Sequence, residues 1–64
     1  MKASDAIEGH FYSLPENSYR GKVNRAECAG WNFTHKWLIF FYFDDKGQRK
    51  HTAVAENEEI THAL

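Results

Sequence analysis

One stretch dominates the hydrophobic pattern of this chain. Trp37-Leu38-Ile39-Phe40-Phe41-Tyr42-Phe43 is unbroken apolar sequence, rich in aromatic residues, which suits a strand. Asp44-Asp45-Lys46-Gly47 follows and Gln48 to Ala55 returns. This predicts a hairpin with the loop Asp45-Lys46-Gly47, Gly47 taking the left-handed conformation of a type I turn plus bulge. Asp44 then faces Gln48. Trp37, Ile39, Phe41 and Phe43 share a face with Arg49, His51, Ala53 and Ala55, and Leu38, Phe40 and Tyr42 share the other with Lys50, Thr52 and Val54. Upstream, Tyr19 to Cys28 reads as a strand, with Tyr19, Gly21 and Val23 on one face and Arg20, Lys22 and Asn24 on the other. Ala29-Gly30 breaks that pattern. Ala3, Ala6, Ile7 and Phe11 fall at helical spacing behind a capping Ser4, with Gly9 as a weakness. Asn57 caps a second short helix with Ile60, Ala63 and Leu64 inward. The expected fold is α+β: a three-stranded antiparallel sheet, strands near 19–28, 33–43 and 48–55, with short N- and C-terminal helices. The alternative is a small SH3-like open β-barrel.

The central strand is apolar on both faces, whereas a solvated sheet face alternates with polar residues. Ala6, Ile7, Phe11, Ile60 and Leu64 can cover one face, and little chain remains for the other. With 64 residues the chain forms one domain, and a domain this small buries only about 60% of its unfolded surface. Two or three large side chains left in water cost about 1.5–3 kcal/mol each. An exposed apolar face marks an interaction site, so either a partner or a second copy covers it, or the sheet curls to bury both sides.

Charge is near balance overall, at −1, but uneven along the chain. Residues 1–18 carry −2, residues 19–51 carry +4 and residues 52–64 carry −3. Cys28 is the only cysteine, so no internal disulfide forms, as in a reducing compartment. Met1 to Phe11 lacks the apolar core of a signal peptide, and the longest apolar run is too short to span a bilayer. Cytoplasm is the expected location, with no membrane partner.

No motif points to catalysis. His10, His35, His51, His62 and Cys28 show no paired zinc-ligand spacing, the glycines are isolated rather than forming a phosphate loop, and turn chemistry accounts for Asp44 and Asp45. No cofactor is expected. The leading reading is a small stand-alone binding protein, a regulator or inhibitor of bacterial or phage accessory type. It docks on a larger macromolecule through an aromatic sheet face, with Trp31, Phe40 and Tyr42 as anchors and Arg20, Lys22, Arg25 and Lys50 setting electrostatic complementarity. A protein partner is the first expectation. Glu56, Glu58 and Glu59 form a second candidate contact, for a basic protein. The runner-up is nucleic-acid binding by Arg20, Lys22, Arg25, Lys46, Arg49 and Lys50 interleaved with Tyr19, Phe40 and Tyr42, because cations beside stacking rings suit a single strand. The third reading is a structural homodimer subunit.

Two resemblances bear on these readings. Tyr19-Arg20-Gly21-Lys22-Val23, Trp37-Leu38-Ile39-Phe40 and the turn near Asp45 resemble the opening strands of SH3-like or Tudor-type barrels, with no aromatic-cage signature. Lys36 to Thr52 is similar to the three-stranded arm-binding domains of tyrosine integrases, which implies a sheet that reads DNA.

Overall fold

The aromatic run and its return form the expected hairpin. The computed structural model describes residues 1–64 and places β3 at Trp37–Phe43 and β4 at Arg49–Ala55. The Asp44 N–H donates to the Gln48 carbonyl at 3.0 Å, and the Gly47 N–H to the Asp44 carbonyl at 3.0 Å. Gly47 has φ +78°, which a type I turn plus bulge requires. Asp44 Oδ1 accepts from the N–H groups of Lys46 at 2.9 Å and Gln48 at 2.8 Å, the local bonding that suits aspartate to turns. The register runs from Phe43 opposite Arg49 to Trp37 opposite Ala55, so both faces are composed as the loop length predicts.

The rest of the α+β expectation is overturned. The chain forms a five-stranded antiparallel sheet in the order β4-β3-β2-β1-β5, and its only helix is a 3-10 turn at Ala3–Asp5. β1 (Phe11–Leu14) lies where the N-terminal helix was expected to end, and β5 (Thr61–His62) where the C-terminal one was expected. Neither segment is long enough to hold a helix without tertiary support, and the sheet edge offers more. β1 pairs with both β2 and β5, and Lys2 bridges Glu59. The first strand expected near 19–28 is β2 at Val23–Trp31; residues 19–22 belong to a turn and loop.

β2 departs from strict alternation twice. Against β1 the register shifts between Tyr12 and Leu14, and against β3 between Cys28 and Gly30. In each case β2 carries the extra residue, and such bulges bend and twist a strand. The buried residues of β2 are therefore Val23, Ala26 and Cys28. Beyond the second bulge, Trp31 pairs with the buried Leu38.

The doubly bulged strand lets the sheet curl around one core: Tyr12, Leu14, Val23, Ala26, Cys28, Leu38, Phe40 and Val54 from its concave face, with Ala3 and Ile60. Tyr12 and Phe40, from strands on either side of β2, meet edge to face at 6.1 Å. The buried Tyr12 hydroxyl accepts from the Ile7 N–H at 2.9 Å. The N-terminal turn closes the core, with the N–H groups of Ala3 and Ser4 donating to the carbonyls of Glu58 and Glu56 at 2.9 Å each. β4 and β5 do not pair with each other. No helix is long and apolar enough to cross a membrane.

Candidate functional site

Curling buries the face that carries Phe40, so that residue is core and offers a partner nothing. Tyr42, on the same face near the turn of the hairpin, is half-buried against the core. Trp31 keeps 40% of its surface exposed at the far end of β3, with its ring 6.1 Å from that of His35. The three expected anchors thus do not form one surface.

The outward face carries Trp37, Ile39, Phe41 and Phe43 on β3 and Phe11 on β1. No further chain covers it. Two arginines do so in part: the Arg25 guanidinium lies 4.0 Å from the centre of the Phe11 ring, and that of Arg49 lies 4.1 Å from the centre of Phe41. A guanidinium over a ring face is attractive, and the long arginine stem shields apolar surface while its head stays in water.

Six of the eight basic residues lie at one end of the sheet, where β2 begins and β3 turns into β4, while Lys36 just before β3 and Lys2 beside Glu59 lie outside it. An open groove of about 890 Å3 lies at that end between residues 19–25 and the hairpin tip. Its lining includes Tyr19, Lys22, Arg25, Tyr42, Phe43, Lys46 and Lys50, with Asp44 and Asp45 as its only acids. A smaller hollow of about 360 Å3 continues onto the outward face past Phe11, Phe41 and Arg49, and shares Arg25, Tyr42 and Phe43 with the groove.

The groove wall at 19–22 is held firmly. Asn17 Oδ1 accepts from the N–H groups of Tyr19 and Arg20 at 2.9 Å each, and the Gly21 N–H donates to the Asn17 carbonyl at 2.9 Å. The Arg20 side chain is only 2% exposed and sits 3.1 Å from Glu58. Its Nη2 also donates to the Pro15 carbonyl at 2.8 Å. Arg20 was expected to meet a partner; it instead ties this turn to the segment entering β5. Lys22 Nζ donates to Ser13 Oγ at 2.9 Å and to the Leu14 carbonyl at 3.1 Å, leaving one of its three donors free. Lys50 is 3.8 Å from Asp44, a long and solvent-exposed contact.

Two rings of the groove are strongly exposed; Phe33, at 93%, is exposed as well but lies outside the groove. Tyr19 is 95% exposed and Phe43 70% exposed, and both line the groove. Tyr19 was readable from sequence as a ring among bases. Phe43 was missed as a contact, although its position at the end of β3, on the face opposite Phe40, marks it as an outward ring.

Asp44 and Asp45 in the groove and Glu27 in the outer hollow sit among these cations, whereas Glu8 and Glu56 lie elsewhere. Glu56 follows β4 at the end opposite the hairpin tip, and the Glu8 carboxyl lies near the Gly30 backbone, close to where β2 finishes. Glu58 pairs with Arg20 and Glu59 with the N-terminal amine at 3.1 Å, so of the acidic trio only Glu56 has no ion pair.

Cys28 is buried. Burial pushes its thiol pKa up, Glu8 and Glu27 push the same way, and a hydrogen bond with the Gly30 backbone opposes them. The thiol stays protonated and unreactive near neutrality. No three His, Cys, Asp or Glu side chains converge as a metal site would require.

Compared with protein-family models, with curated proteins and with solved structures, the chain matches none.

Proposed function

We propose that this chain is a small binding module that docks on a larger, negatively charged macromolecule through the groove at the hairpin end. A regulatory role, exerted by occupying that macromolecule, follows from this reading, with the cytoplasm as its setting. One observation carries it. Lys22, Arg25, Lys46 and Lys50 come from distant parts of the sequence and share one groove with exposed rings, while Glu8 and Glu56 lie toward the other end. Such separation steers a polyanion to one end even when net charge is near zero.

Retention on immobilised heparin tests the reading. The wild-type protein is expected to bind at low salt and to elute as salt rises, because each neutralised anionic group adds to the salt dependence. Lys46→Glu with Lys50→Glu is expected to elute at clearly lower salt with unchanged thermal stability, since both side chains are exposed. Wild-type protein that flows through at low salt, or a variant that elutes with it, sinks the proposal.

A second reading, self-association, is favoured by a different observation. β4 is an unpaired sheet edge, and Trp37 and Phe43 on neighbouring β3 remain exposed. Exposed edges pair readily with another chain.

A further inference from the structure

The chemistry of the groove also selects among polyanions. Heparin, an acidic protein, duplex DNA and a single strand all offer negative charge. Only the single strand also offers unstacked flat bases. Tyr19 exposes nearly all of its surface and Phe43 most of it, and their setting is fixed: Tyr19 on a turn held by Asn17 and by buried Arg20, Phe43 at the last position of β3 opposite Arg49. An exposed ring on an anchored backbone loses little conformational freedom when it stacks. Bases inside a duplex are already stacked on each other and gain nothing from such rings.

The cations lie where a backbone would run. The Arg25 and Arg49 guanidinium groups lie over the Phe11 and Phe41 rings and make no hydrogen bond or ion pair within the protein, which leaves their N–H groups free to bond phosphate oxygens. The groove and the outer hollow share Arg25, Tyr42 and Phe43. A continuous track therefore runs from Tyr19 and Lys22, past Arg25 and Phe43, to Arg49, with Glu27 as the one acid of its outer hollow. A basic track with rings along it is the physical requirement for binding single strands without strong sequence preference.

From this arrangement we infer that the groove and hollow together bind single-stranded nucleic acid, with bases stacked on Tyr19 and Phe43 and phosphates held by Lys22, Arg25, Lys46 and Arg49. The inference rests on the anionic-partner reading above and narrows it.

Fluorescence anisotropy with a labelled oligothymidylate of about twelve nucleotides tests it, beside a labelled duplex of the same length, an oligouridylate, and unlabelled polyglutamate as competitor. The single strand is expected to bind at least tenfold tighter than the duplex and to resist polyglutamate. Tyr19→Ala and Phe43→Ala should each weaken single-strand binding about tenfold while leaving heparin elution unchanged. The ratio of oligothymidylate to oligouridylate affinity says whether the strand is DNA or RNA, and either result supports the inference. Duplex bound as tightly as the single strand overturns it, as does full displacement by polyglutamate or ring variants that bind like wild type. Heparin retention without single-strand binding overturns the inference and leaves the broader reading standing; loss of heparin retention removes both.

Discussion

At the scale of single residues, burial decides which side chains are available for chemistry. Phe40 and Phe43 belong to one run, but Phe40 faces the core from mid-strand and Phe43 faces outward beside the turn, and the first is buried while the second is 70% exposed. Cys28 shows the same effect on a titrating group. Its folded pKa is raised, chiefly by burial, so between the unfolded and folded values the unfolded thiol has lost its proton and the native one has kept it. The native state then binds more protons, and stability falls as pH rises. The stabilisation due to this thiol is complete below its unfolded pKa and is lost as pH climbs through the folded one. Urea midpoints for wild type and Cys28→Ala, followed from neutral to alkaline pH, should converge as the wild-type advantage declines by up to about 1.4 kcal/mol per pH unit. Two curves that stay parallel would mean that the thiol does not feel its burial.

At the scale of elements, strict period-two patterning is legible and its interruptions are not. The β3–β4 hairpin is readable to the residue because a long apolar run, an Asp-rich turn and a glycine act together over contiguous sequence. β2 is readable only as a strand, since two bulges shift the phase of its buried residues from an alternating set to Val23, Ala26 and Cys28. Those bulges depend on partner strands that no local pattern reveals. The terminal segments mislead for the same reason: Ala3, Ala6, Ile7 and Phe11 have helical spacing, but pairing with β2 and β5 fixes residues 11–14 as a strand. Gly30 gives a direct check on the second bulge. It has φ +96°, and a Cβ there would lie 3.5 Å from the Glu8 carboxyl carbon. Gly30→Ala should cost at least about 1–2 kcal/mol from backbone conformation and lower the melting temperature by roughly 5–15 °C. An unchanged melting temperature would mean that the strand can relax out of the bulge, and that the curl does not depend on it.

For the whole molecule, the issue is how a chain with an apolar strand face on each side limits its exposed apolar surface. Curling hides the concave face, while Arg25 and Arg49 cover Phe11 and Phe41 on the convex one. The sequence displayed the two-sided hydrophobicity and not its remedy, because each guanidinium reaches its ring across the sheet rather than from a neighbour in the chain. This cover also bears on self-association. A standard interface takes about 800 Å2 from each partner, a large share of the 4560 Å2 total here. A dimer through the convex face would strip water from Glu27 between Arg25 and Arg49, and glutamate is depleted from interfaces. The expected result is a monomer whose mass by sedimentation equilibrium does not change across micromolar concentrations. A dimer at those concentrations would show that the β4 edge or the Trp37 surface outweighs that cost. Trp37→Lys then separates the two: it should restore the monomer if the apolar face is the interface, and leave the dimer intact if β4 pairs edge to edge. A monomer keeps the Tyr19–Arg49 track open on every molecule, which the nucleic-acid reading requires.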